Sequence, residues 1–205
     1  MNRDDSGLSL VELIVYAAVS ALFLGLLASL FIGGIQAQAQ ATDRDSATGR
    51  AGVVSDSILT SIRNSSAFTI TGGNRALIAK VSLPGGAFEC RAWVVTTGGD
   101  VRYRESASAI SIASTTSWTR LVRGDTSTGS GAIPSLSRRD GSNADGSPRF
   151  TRVDANGDGL TDAFSRTGQT LSIGLDISLG DTVVPLSNGV TAQAITDGTS
   201  TTACW

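Results

Sequence analysis

The chain has 205 residues, 40% hydrophobic and 17% charged, with a formal net charge of −2. It has no histidine, so Ser-His, Cys-His and His-metal chemistry are excluded. With no GxSxG, no P-loop and no glycine fingerprint after a strand, the expectation is a protein that is not an enzyme, and without a basic stripe nucleic acid is not an expected partner.

A short polar leader ends at Gly7, and an apolar run follows from Leu8, interrupted early by Glu12. From Leu13 to Ile35 there is no charge. At ~1.5 Å per residue that stretch makes a helix of ~34 Å, against a hydrocarbon core of ~30 Å. An ionised carboxylate inside a bilayer costs roughly 2.5–3.5 kcal/mol at mid-depth and less near an edge, so Glu12 calls for a partner. Cleavage after Gly7 would provide one: Leu8 would carry a new α-amino cation, with Glu12 four residues further along the same helix face. A neighbouring copy shifted along the axis could set its amine against this carboxylate, where low dielectric strengthens the attraction.

Gly7-Leu8-Ser9-Leu10-Val11-Glu12-Leu13, with its leader and following span, resembles the class III signal of type IV pilins and type II secretion pseudopilins. Leu8 stands where phenylalanine is commoner, and Asp4 and Asp5 against Arg3 weaken the usual basic bias of the leader. The resemblance implies cleavage between Gly7 and Leu8 by a prepilin peptidase, N-methylation of Leu8, and an assembly role for Glu12 against a neighbour's N-terminus. It implies, as partners, the cytoplasmic membrane, other pilin or pseudopilin subunits and assembly-platform proteins. Long loops and the region after the span lean toward a minor subunit.

Two other readings of the apolar run compete. Ala37-Gln38-Ala39 and Ala39-Gln40-Ala41 are A-x-A-like cleavage sites, but the run far exceeds the ~7–15 residues of a signal-peptide core. A plain signal anchor, with Glu12 snorkelling to the interface, is the other.

Beyond Ile35 the helix is expected to continue and to end near Asn64 to Ser66. Val54, Ile58 and Ile62 recur at helical spacing, with Ala51 and Leu59 beside them and Asp56, Ser57 and Arg63 on the opposite face. Strands are predicted over 67–71, 75–82, 88–97, 101–105 and 117–123, with turns at Gly72-Gly73-Asn74, Pro84-Gly85-Gly86 and Gly98-Gly99-Asp100. The stretch 124–148 is rich in Gly, Ser, Asp and Thr and reads as a mobile loop. Further strands are predicted over 149–153 and 163–166. Leu171, Ile173, Leu175, Ile177 and Leu179 then alternate strictly with Ser172, Gly174, Asp176, Ser178 and Gly180, the clearest strand pattern in the chain. Short strands at 183–186 and 190–195 are expected to flank Asn188-Gly189.

Between two of these strands, Asp154-Ala155-Asn156-Gly157-Asp158-Gly159-Leu160-Thr161-Asp162 reads D-x-N-x-D-G-x-x-D. Side-chain oxygens fall at positions 1, 3, 5 and 9, Leu160 offers a carbonyl at 7, and Gly159 permits the sharp turn. That spacing suits a hard cation ringed by oxygens, and the expected cofactor is structural Ca²⁺. The loop resembles those of dockerins and integrin-type propeller hairpins; Ser165 stands where an EF-hand has its bidentate Glu. The opposing reading is a polar hairpin whose charge is offset by Arg149, Arg152 and Arg166.

Cys90 and Cys204 fit neither a metal knuckle nor a CxxC pair, and a bond between them is expected in an oxidising place. The predicted layout is a leader at 1–7, a transmembrane helix at 8–35, an amphipathic helix half at 36–66 and an extracytoplasmic β-rich domain at 67–205. The fold class is α+β, pilin-like, with the long helix packed on an antiparallel sheet. The expected function is structural: a pilus or secretion-filament subunit, first single-pass in the cytoplasmic (inner) membrane, then in an extracellular filament at the cell surface. Opposed to it is a membrane-anchored or secreted, calcium-stabilised adhesion module outside any filament.

Overall fold

The computed structural model describes residues 10–125, 127–145, 147–193 and 203–205. Helix α1 spans Leu10–Arg63 and stays helical through Gly33, Gly34 and Gly49. The chain falls into two compact units, one ending at Thr42 and the other beginning at Asp43.

In the first unit every described residue is exposed, including Leu13, Ile14, Val19, Leu22, Phe23, Leu26, Leu30 and Ile35. A helix this apolar and this bare is long enough to cross a membrane. That composition is compatible with anchoring in a bilayer.

In the second unit α1 is amphipathic. Ala47, Ala51, Val54, Ile58 and Ile62 are buried, while Asp56 and Arg63 are exposed. Ser57 departs from the sequence reading: it is half-buried and accepts a hydrogen bond from Trp93 Nε1 at 2.9 Å. The helix stops at Arg63, one residue before the expected end at Asn64 to Ser66. Asn64 Nδ2 donates to the Thr60 carbonyl and Ser65 Oγ to that of Ile62, so side chains satisfy carbonyls the last turn leaves open.

The first sheet is an antiparallel meander of β1 (Ser65–Thr71), β2 (Ala76–Ser82), β3 (Phe88–Val95), β4 (Val101–Ser106) and β5 (Thr119–Val122), in that order. Strand β2 is buried on both faces. Leu77, Ala79 and Val81 join the α1 face, with Phe68, Trp93 and Val95. Ile78 turns the other way, into a smaller cluster with Cys90, Ala92, Ile110, Trp118 and Cys204.

The second sheet is built on β10 (Thr170–Leu179), which pairs with β11 (Thr182–Thr191), β6 (Gly131–Pro134) and β9 (Phe164–Thr167). Leu171, Ile173, Leu175 and Ile177 are fully buried in the same core as Val54, Ile58 and Ile62, as their alternation predicts. Strand β11 is one edge strand, not two short ones: Gly180-Asp181 makes the turn, and Asn188-Gly189 lies within the ladder. Pro185 sits midway along it, opposite Asp176.

The stretch 124–148 is not a bare loop. It holds β6 and β7 (Ser137–Ser142), the latter paired with β8 (Pro148–Arg152) in a two-stranded ribbon. Every residue of β7 and β8 is exposed, which is why no apolar alternation marks them.

Backbones meet closely in two places. Gly99, Gly124 and Gly131 lie so near one another that a Cβ on Gly124 or Gly131 would collide with backbone, and Ala132 N–H donates to the Gly99 carbonyl at 2.8 Å. A Cβ on Gly174 would run into the Leu136 backbone.

Asp100, in the β3–β4 turn, accepts the Gly124 N–H at 2.8 Å, pairs with Arg102 at 2.7 Å and lies 3.8 Å from Arg120. Burial opposes its charge, but the Gly124 N–H and the two guanidinium groups outweigh it and hold the carboxyl below its usual range. A carboxyl depressed in the folded state adds stability that is present above its unfolded value, about 3.9, and lost as pH falls through the folded one. Asp100→Asn should therefore be less stable than the parent at pH 7, and the gap should narrow below about pH 4. Urea melts of both proteins at pH 7 and pH 3 check this; an unchanged gap would refute it.

Candidate functional site

Three places carry the residues singled out in the sequence. The first is the N-terminal end of α1. Glu12 is exposed there, and Tyr16 Oη donates to its Oε1 at 3.3 Å, one helical turn on. The hydroxyl solvates the carboxylate, and among the described residues no ion pair involves Glu12. Gly7 and Leu8 lie outside the described residues.

The second place is the loop 154–162, between β8 and β9. Gly157 and Gly159 both have positive φ, +73° and +79°, which spares an L side chain the strain of that conformation. The chain thereby curls around Asp154. Its Oδ1 accepts the N–H groups of Gly157 (2.8 Å) and Asp158 (3.2 Å), and its Oδ2 that of Gly159 (2.9 Å). Asp158 Oδ1 accepts the Leu160 N–H, and its Oδ2 takes a hydrogen bond from Asn156 Nδ2. The loop rests beside the β1–β2 turn: a Cβ on Gly73 would stand 3.1 Å from Asp158 Oδ2, and Ala163 and Phe164 both donate to the Asn74 carbonyl.

Asp162 differs from the rest of the loop. It is 1% exposed, whereas 154–160 are all exposed. Its Oδ2 accepts the Ala155 N–H at 2.8 Å, and its Oδ1 is buried with no hydrogen-bond partner. An unmatched buried carboxylate oxygen is costly, on the order of 1–3 kcal/mol or more. Two of the three arginines that might offset the loop are engaged elsewhere. Arg149 pairs with Asp140 at 3.2 Å, and Arg166 donates to the carbonyls of Phe68 and Gly168 and lies over the Phe68 ring. Among the described residues no ion pair involves Asp154, Asp158 or Asp162.

The loop oxygens and the orphaned Asp162 oxygen are the donor types a hard cation takes, but their arrangement here is not a formed site. The carboxylates of 154, 158 and 162 are not drawn into one cluster: among the described residues no group of three or more His, Cys, Asp or Glu is disposed to hold a metal. Asp158 and Asn156 satisfy one another instead, an arrangement that an ion would have to displace.

The third place is the outer face of the first sheet. Cys90 and Cys204 are joined by a disulfide with their Cα atoms 5.4 Å apart. Ile110 N–H donates to the Cys204 carbonyl at 3.0 Å, so the bond fixes Cys204 and the segment before β5 on this face. Ile110 does not stand out in the sequence, because 107–116 has no strand or helix period; Trp118 falls in the stretch 117–123 read as a strand, but β5 begins only at Thr119, and Trp118 is buried just before it.

Comparison with protein-family models, characterised proteins and solved structures gave no match for this chain.

In the loop-entropy account, a closure of 114 residues stabilises by roughly 4–5 kcal/mol. The double variant Cys90→Ser, Cys204→Ser should lose about that much, measured by urea unfolding against the oxidised parent. A loss below ~1 kcal/mol would mean the outer-face cluster holds Cys204 without the bond.

Proposed function

We propose that this chain is a prepilin-type subunit, of the minor pilin or pseudopilin kind, that works by assembly and not by catalysis. The observation that carries the reading is the bare apolar half of α1 with one carboxylate, Glu12, near its start. Such a helix needs a lipid or protein environment, and Glu12 needs a cation that this chain's Tyr16 does not supply. A neighbour's α-amino group at Leu8, freed by prepilin peptidase cleavage after Gly7, would supply it. Ser20, Ala21, Gly25 and Ala28 give small surfaces on which helices of neighbouring copies can approach. The domain on the second half of α1 would then be displayed outside the cytoplasmic membrane, on a filament or its tip.

The mature protein, isolated from its own cells, should begin at N-methyl-Leu8 by mass spectrometry of its N-terminal peptide. Glu12→Ala should leave membrane insertion and cleavage intact and reduce recovery in sheared filaments at least tenfold. Surface display of an uncut or Ala39-processed chain, unaffected by Glu12→Ala, would favour a tethered or secreted adhesion module instead.

In the same reading, the 154–162 loop binds Ca²⁺ through Asp154, Asn156, Asp158, the Leu160 carbonyl and Asp162. Its role is structural. A site bound only in the folded state adds stability in proportion to the logarithm of free calcium above Kd, about 2.7 kcal/mol at 100 Kd. EDTA should therefore lower the melting temperature of the detergent-solubilised chain, and calcium should restore it. If calcium added back leaves the melt where EDTA put it, the loop is a polar turn and no more.

A further inference from the structure

We propose that a calcium ion in the 154–162 loop acts as a clasp on the β7–β8 ribbon, closing it through the buried carboxylate of Asp162. The inference rests on the calcium reading of that loop and adds what the ion controls.

The ribbon buries no side chain of its own; what crosses it besides backbone pairs is the exposed Arg149–Asp140 ion pair, with Thr151 Oγ1 donating to the same carboxylate, and an exposed pair of this kind adds little. All residues of β7 and β8 are exposed, and an isolated two-stranded hairpin is marginal in water. Its order must come from its base, where Leu136 leads into β7 and Val153 leads out of β8.

Those two residues meet at Asp162. Val153 N–H donates to the Leu136 carbonyl at 2.9 Å. Leu136 N–H donates to the Asp162 carbonyl at 3.1 Å, and Asp162 N–H to the Val153 carbonyl at 2.8 Å. The three backbones form a closed ring of hydrogen bonds. The ring is seated on β10, where Ser135 N–H donates to the Gly174 carbonyl and Gly174 N–H to that of Ala163, both at 2.9 Å.

The backbone of Asp162 thus ties both ends of the ribbon, while its side chain belongs to the loop. Oδ2 holds the Ala155 N–H, so the carboxylate faces the loop, and Oδ1 of the same group is buried there without a partner. A divalent cation bound by the loop supplies that partner. Asp162 cannot then leave its place without giving up the ion, and the ribbon cannot detach without moving Asp162. Calcium fits better than magnesium, since an irregular ring that includes a backbone carbonyl suits the more flexible coordination of the larger ion.

The test uses the full chain in detergent micelles, with calcium chloride as the probe. Calorimetric titration gives Kd, and amide hydrogen exchange of residues 136–153 is followed in EDTA and in calcium at 100 Kd. An opening that releases the ion should become about 100-fold rarer under those conditions, and the amides of β7 and β8 should slow by up to that factor. Asp162→Asn, which keeps an acceptor for Ala155 but loses the charge, should abolish the calcium-dependent slowing, read as the ratio of its own exchange rates in calcium and in EDTA. Asp154→Asn leaves the ring untouched and should shift the slowing to higher calcium. Binding heat with unchanged ribbon exchange would overturn the clasp and leave the calcium reading standing. Absence of any binding heat would overturn both. Equal acceleration by Asp162→Asn with and without calcium would make Asp162 a structural residue only and also overturn the clasp.

Discussion

The face of α1 from Ala47 to Ile62 must be covered, and no single sheet covers it. Val54, Ile58 and Ile62 are fully buried, each worth ~1.5–3 kcal/mol relative to exposure. They share one core with Leu77 and Trp93 of the first sheet and with Leu171, Ile173, Leu175 and Ile177 of the second. The helix is the common wall of both sheets. That is why a single Ser57 hydroxyl can reach the indole of Trp93, a buried polar group that would otherwise lack an acceptor.

Two sheets on one helix have to approach each other, and side chains would keep them apart. Glycine removes the obstacle at Gly99, Gly124 and Gly131, where the β3–β4 turn meets the start of β6, and at Gly174, where β10 meets Leu136. The first junction is locked by charge. Asp100 gathers the Gly124 N–H and the guanidinium of Arg102, holding the turn and the residues after β5 together. The second junction seats the base of the exposed ribbon. Backbone hydrogen bonds cross both junctions.

Much of this was written in residue periods. The helical spacing of Val54, Ile58 and Ile62 and the strict alternation from Leu171 to Leu179 each marked a buried face, and both faces are buried where expected. The pairing of Cys90 with Cys204 followed from there being only two cysteines. What escaped had no period to read. Strand β6 is only four residues long, paired with β10 and entered through a close approach of glycine backbones, and β7 and β8 bury nothing. Ile110 covers a sheet from an irregular segment. At the 154–162 loop the donor order was legible, and so was the need for glycine at 159. The burial of Asp162 was not, because it depends on Leu136 and Val153, brought beside it by the ribbon.

Strand β11 forms the open edge of the second sheet, ten residues long and mostly exposed. An edge of that length is ordinarily a template on which another chain's strand can add. Pro185 lies in its middle and contributes no N–H, and sheet edges are where that loss is tolerated. The edge is thereby split into Thr182–Val184 and Leu186–Thr191, the longer part about the length of one short strand. At high local concentration, copies of this domain can then crowd together without zipping sheet to sheet along this edge, and the specificity of contact there is left to side chains.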